Sequence, residues 1–158
     1  MSAGELQREI RKKKPFDLPE EEAGLNLVRT VDFLQLPFER LFAEHGLSDS
    51  QYNVLRILRG HGGEGLPCTE IGSQMLTRMP DITRLVDRLE QSKLVERART
   101  AADRRVVMVR LTKAGREVLD RLDAPVRALH KQALGHLTRA ELAELTRLLV
   151  KVRQARTE

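Results

Sequence analysis

A length of 158 residues predicts one domain, or one small core with appended helices, and an apolar fraction of 41% is enough to pack it without disulfides or metal. The single cysteine, Cys68, excludes an internal disulfide framework and fits a reducing cytoplasm, and no apolar run approaches the ~18 residues of a membrane helix. A net charge of +5 points to a polyanionic partner, and its placement is informative: residues 78–110 carry nine basic side chains against five acidic ones.

Residues 1–18 are charged, short of large apolar side chains and punctuated by prolines, and read as a mobile basic arm. The charge run within it, ending in RKKK, is read first as a solvated face. From Glu20 to His45, Leu25, Val28, Val31, Leu34, Leu36, Phe38, Leu41 and Phe42 recur at mostly helical spacing, with Pro37 a candidate kink and Gly46 the stop. Ser48-Asp49-Ser50-Gln51 has the form of a capping box, and Tyr52, Val54, Leu55, Ile57 and Leu58 supply the inner face of the helix behind it. GHGGEG, residues 60–65, ends that helix and reads as a flexible link. Pro67 suits the first position of a short helix with Ile71 and Met75 inward.

After a break at Leu76–Met79, Pro80 is expected to open the helix PDITRLVDRLEQ. Ile82, Leu85, Val86 and Leu89 form one apolar stripe, while Asp81, Thr83, Arg84, Asp87 and Arg88 face mostly away. Two short helices joined by a tight turn make a helix-turn-helix pattern, which alone is weakly specific. LVERA and RRVVMVRL then read as two strands around a TAAD turn, with Val107, Val109 and Leu111 alternating against Val106, Met108 and Arg110. A hairpin directly after the second helix is the wing of a winged helix. Thr112 caps a further helix bearing Val118, Leu119, Leu122, Val126 and Leu129. Thr138–Glu141 is a second capping box, opening a last helix with Leu142, Leu145, Leu148, Leu149 and Val152 on one side. The predicted fold is mainly α with a small β-hairpin wing: a winged helix-turn-helix core at about 48–112, flanked by helices at about 20–45 and 113–155.

The hairpin tip carries the sharpest chemistry. Asp103 and Arg105 are two apart in an extended segment, leave on one face and can pair to brace the turn, while Arg104 points to the other side. An arginine-tipped ribbon fits the minor groove of DNA, where negative potential is concentrated. The plainer alternative is a hairpin kept soluble by its charges.

At this point the chain resembles the MarR family (multiple antibiotic resistance regulators) of bacterial transcription factors. Asp103-Arg104-Arg105 followed by Val109-Arg110-Leu111-Thr112 is similar to the family's D-x-R-x-x-x-V-x-L-T wing signature. ITRLVDRLEQSKLVER (82–97) looks like its recognition helix and first wing strand, and LSDSQYNVLRIL (47–58) like the helix before the helix-turn-helix. Two positions depart from the pattern. Ser92-Lys93 stands where glycine is usual after the recognition helix, and Arg78-Met79-Pro80 where a small hydroxyl residue usually begins it. The resemblance implies one MarR-type domain over 19–158 and a homodimer whose N- and C-terminal helices intertwine. The first helix and the last two, apolar on too many sides for so small a core, imply the same. It further implies repression at a pseudo-palindromic operator and release by a small-molecule effector, often aromatic or anionic, in a cleft between the dimerisation helices and the winged lobe.

On this reading the partner is double-stranded DNA. Arg78 and Arg84 donate to guanine or phosphate, Asp81 accepts from a cytosine amino group or orients an arginine, and Thr83 takes a phosphate. Arg88 either joins them or pairs with Asp87 or a neighbour beside Glu90. One of Arg104 and Arg105 enters the minor groove and the other is structural: geometry favours Arg104 outward, whereas the family motif emphasises the position of Arg105. No cofactor, metal, membrane or catalytic role is implied, since no nucleophile, metal or phosphate-loop spacing is present. The alternatives are a regulator responsive to redox through Cys68 or to metal through His130 and His136, and a protein-interaction module. The scattered His45 and His61 add nothing to them.

Overall fold

A computed structural model describes residues 4–99 and 107–154. In chain order they form α1 (Glu5–Glu9), α2 (Pro19–Glu44), α3 (Asp49–Gly60), β1 (Leu66–Pro67), α4 (Cys68–Gln74), α5 (Ile82–Gln91), β2 (Val95–Arg99), β3 (Val107–Leu111), α6 (Lys113–Leu134) and α7 (Arg139–Gln154).

Side-chain caps set several of the helix starts. Ser48 Oγ accepts from the Gln51 N–H at 3.2 Å while Gln51 Oε1 accepts from the Ser48 N–H at 2.9 Å, completing the predicted box at α3. Thr138 and Glu141 repeat it at α7, at 3.3 and 2.7 Å. Thr112 Oγ1 accepts from the Gly115 N–H at 3.0 Å and donates toward the Lys93 carbonyl at 2.8 Å, tying the start of α6 to the turn after α5. The fit there is tight: a Cβ on Gly115 would collide with the Leu94 carbonyl oxygen.

Two starts differ from expectation by one or two residues. Helix α5 begins at Ile82 rather than Pro80, because Asp81 is the N-cap and its Oδ1 accepts from the Arg84 N–H at 2.9 Å. Pro67 is the N-cap of α4 rather than its first residue, and it also lies in β1.

The core is one cluster. Val54, Leu55 and Leu58 of α3, Ile71 of α4, Val86 and Leu89 of α5, Val95 of β2, Val109 of β3, and Leu119 and Leu122 of α6 are fully buried in it. Each such side chain contributes roughly 1.5–3 kcal/mol by leaving water, so this cluster holds the helix-turn-helix, the hairpin and the start of α6 as one lobe. Phe42, near the end of α2, closes it on one side.

The sheet is antiparallel in the order β1-β3-β2, with Val95 opposite Leu111, Arg97 opposite Val109 and Arg99 opposite Val107. Strand β1 was not expected. The GHGGEG link ends in Gly65 at φ +83°, where a Cβ would lie 2.7 Å from both the Val109 carbonyl oxygen and Arg110 Cγ. Only glycine lets the chain come this close and set Leu66 against Val109. Within the stretch read as a basic arm, α1 buries Leu6 and its Glu9 pairs with Arg29 of α2 at 2.6 Å.

Candidate nucleic-acid interface

Helix α5 turns Leu85, Val86 and Leu89 into the core and leaves its other face in solvent. Thr83, Arg84 and Arg88 on that face are exposed, as are Asp81 at its cap and Arg78 in the preceding turn. Among the described residues Arg78, Arg84 and Arg88 make no side-chain ion pair, so their donors face outward unspent. Asp81 has a structural task besides any contact it makes, since one carboxylate oxygen caps the helix. From α3, Asn53 Oδ1 accepts from the Leu76 N–H at 2.9 Å, and Ser50 Oγ donates toward Met79 Sδ at 3.4 Å. These two clips hold the turn from which α5 starts.

The carboxylates that made Arg88 ambiguous in the sequence are committed elsewhere. Asp87 and Glu90 both pair with Arg97 of β2 at 2.6 Å. Glu90 also accepts from the Arg97 backbone N–H at 3.1 Å. Arg97 therefore clamps the wing strand to the recognition helix, offsets one of two negative charges that would repel a polyanion and leaves Arg88 unpaired. Sequence reasoning missed this residue, because a contact from helix to strand seven and ten positions apart follows no periodic rule.

After α5 the chain reverses through Lys93, whose φ of 59° is left-handed. The Lys93 N–H reaches the Glu90 carbonyl at 2.8 Å and the Leu94 N–H the Leu89 carbonyl at 3.0 Å, satisfying the helix end. Strands β2 and β3 follow, anchored in the core by Val95, Val109 and Leu111. Asp103, Arg104 and Arg105 lie in the connection between them, outside the described residues.

A model described as MarR family matches residues 45–106, the segment from the end of α2 into the wing. The crystal structure of a MarR transcription factor from Planctomyces limnophilus shares 46% sequence identity, covering 85% of this chain and 97% of that one with a TM-score of 0.66. The chain belongs to the MarR family. It is a winged helix-turn-helix, DNA-binding transcriptional regulator. A mutant MarR from E. coli complexed with operator DNA has the same fold, at TM-score 0.75 and 26% identity over 87% of this chain and 99% of that one. The HTH-type transcriptional repressor IacR of Pseudomonas putida is 31% identical over 111 residues, which is 70% of this chain and 65% of that repressor.

Beside the winged lobe this MarR chain holds a cavity of about 750 Å³ between α2, α3 and α6. Phe42 and Tyr52, stacked on each other at 4.1 Å between ring centroids, line it, and the Phe38 ring lies 4.8 Å from that of His130. Its polar end is built on Asp123 of α6, whose carboxyl is held below the ordinary aspartate range by its hydrogen bond to Arg59. The residues weighed for other chemistries are dispersed. Cys68 is half-buried at the start of α4. His45 and His61 sit 3.0 Å from the Leu41 and Ile57 carbonyls of their own helices. Among the described residues no group of three or more His, Cys, Asp or Glu is placed to hold a metal ion, and no helix is long and apolar enough to cross a membrane.

Proposed function

We propose that the protein is a homodimeric repressor that binds a pseudo-palindromic operator and releases it when a small molecule enters the cavity between α2, α3 and α6. The observation that carries this reading is the outer face of α5, where Arg84, Arg88 and Thr83 are exposed beside Arg78 on a helix locked by Asp81 and Arg97. A helix so presented fits the major groove, with Arg78 and Arg84 reaching guanine or phosphate and Thr83 a phosphate. Of Arg104 and Arg105, one enters the adjoining minor groove while Asp103 braces the tip.

Dimerisation is supported by apolar surface that a single chain leaves uncovered. No residue of α7 is buried, and Leu145, Leu148 and Val152 are exposed on it; α2 exposes Leu25, Val28, Val31 and Phe33. A two-fold pair of lobes matches half-sites about one helical turn of DNA apart. The name of the Pseudomonas relative, a transcriptional repressor, favours repression over activation.

The test is titration of the purified protein onto a duplex from its own promoter region beside a scrambled duplex, at several salt concentrations. A preference of ~10³-fold or more with a steep negative salt slope is expected. Equal, salt-independent behaviour toward both duplexes would refute the reading.

A further inference from the structure

The two faces of the hairpin differ in charge. On one, Glu96 stands opposite Arg110, and their charges offset. On the other, Val95 is buried opposite Leu111, Arg97 lies opposite the buried Val109, and Arg99 lies opposite Val107. Burial falls along this face until Arg99 and Val107 are both exposed. Among the described residues Arg99 makes no ion pair.

This second face is the one that meets α5. The chain leaves that helix with the Leu94 N–H on the Leu89 carbonyl. Three residues on, the Arg97 N–H donates to Glu90, and the guanidinium of Arg97 passes Asp87 to lie 3.5 Å from the Thr83 carbonyl in the first turn of α5. Strand β2 therefore runs back along α5 toward its start. Arg99 is two residues, about 6.6 Å, further in that direction on the same face. That puts it between the start of α5, where Arg78, Thr83 and Arg84 are exposed, and the far end of the hairpin. An exposed charge on an edge strand ordinarily serves solubility. Arg99 differs in standing on the face shared with the recognition helix, opposite an apolar residue and with no charge to offset it.

We propose that Arg99 grips one backbone phosphate of the operator, at the step where the DNA backbone separates the major groove occupied by α5 from the minor groove approached by the wing. This rests on the reading of α5 as the major-groove helix. A guanidinium forks onto phosphate oxygens as it does onto a carboxylate. Such a contact carries no sequence information, but it fixes register. Arg97 ties the strand to the helix, so the spacing from the Arg99 phosphate to the bases under α5 is set by the protein. Arg99 is in this sense a positioning residue for the groups that read bases.

The test uses wild type, Arg99→Ala and Arg99→Lys on the promoter duplex, at several salt concentrations. The same proteins are titrated onto copies carrying single base-pair changes, and onto copies in which single phosphates across the protected segment are replaced by neutral methylphosphonates. Arg99→Ala should bind about tenfold more weakly per half-site, with the slope of log affinity against log salt shallower by about 1 per half-site. Its discrimination among the base-pair changes should stay within about twofold of wild type. Arg99→Lys should keep the wild-type salt slope and recover part of the affinity. One methylphosphonate position per half-site should weaken wild type and leave Arg99→Ala unaffected. Urea midpoints equal to wild type in both variants exclude misfolding as the cause. Unchanged affinity and slope in Arg99→Ala, or equal losses in wild type and Arg99→Ala at every methylphosphonate, overturn the phosphate grip and leave the α5 reading standing. Relaxed discrimination at one base pair makes Arg99 a base reader and overturns it too. If wild type shows no preference for the promoter duplex over a scrambled one, the α5 reading fails and the grip with it.

Discussion

Lys93 holds a left-handed backbone at the reversal between α5 and β2, where glycine is usual in the family the sequence resembles. A Cβ in that conformation costs about 1–2 kcal/mol, while glycine adds back about 0.4–1 kcal/mol of unfolded-chain entropy. Lys93→Gly should therefore stabilise the protein by roughly 0.5–1 kcal/mol, read as a higher midpoint in urea with an unchanged slope. Arg97 is the opposite case, a side chain whose loss reaches beyond its own position. Arg97→Ala leaves Asp87 and Glu90 as two unpaired carboxylates beside the exposed face of α5. Unfolding free energy should fall by about 1–2 kcal/mol and duplex affinity should fall with it. Arg97→Lys, which keeps the charge but loses the fork, should recover part of both. Wild-type duplex affinity in Arg97→Ala would mean that the clamp is not needed for recognition.

At the scale of elements, the legible parts are those with a local rule. The starts of α3, α6 and α7 follow from a hydroxyl at the cap and its partner three residues on. The face of α5 follows from a stripe at helical spacing, and the inward side of β3, with Val109 and Leu111 buried, from alternation. The starts of α4 and α5 are displaced because proline marks the edge of a helix without saying whether it stands inside or just outside it. Strand β1 was illegible, since two residues have no periodicity and their pairing depends on an approach that only Gly65 allows. The wing is the element whose function is most open to test. Of Arg104→Ala and Arg105→Ala, the one that removes the minor-groove side chain should weaken operator binding by roughly 1–3 kcal/mol per half-site. The other should act through the shape of the turn. If both bind the operator as wild type does, the wing has no place in the interface.

At the scale of the molecule, the uneven distribution of burial is the main fact. The lobe built on α3, α4, α5 and the hairpin is closed, whereas the first half of α2 and all of α7 present apolar side chains to water. In the proposed dimer these faces cover one another. Leu148→Asp, at a position 45% exposed in the single chain, should leave the lobe folded but halve the mass in sedimentation. Operator affinity should drop by more than tenfold, because two half-sites then have to be bound independently. A Leu148→Asp protein that stays dimeric would move the interface away from α7.

The amino-acid sequence by itself determined helices α2–α7, the caps of α3, α6 and α7, the two strands of the hairpin and the outward face of the recognition helix, because each rests on spacings of two to four residues that the backbone imposes. What only the tertiary structure decided are the contacts between elements. Arg97 gathers Asp87 and Glu90, Gly65 admits β1 to the sheet, and Arg59 meets Asp123 across 64 residues of chain to form the polar end of the cavity. No local rule predicts such pairs. Each depends on where the packing of the core brings two distant surfaces together, and on which charge is waiting there.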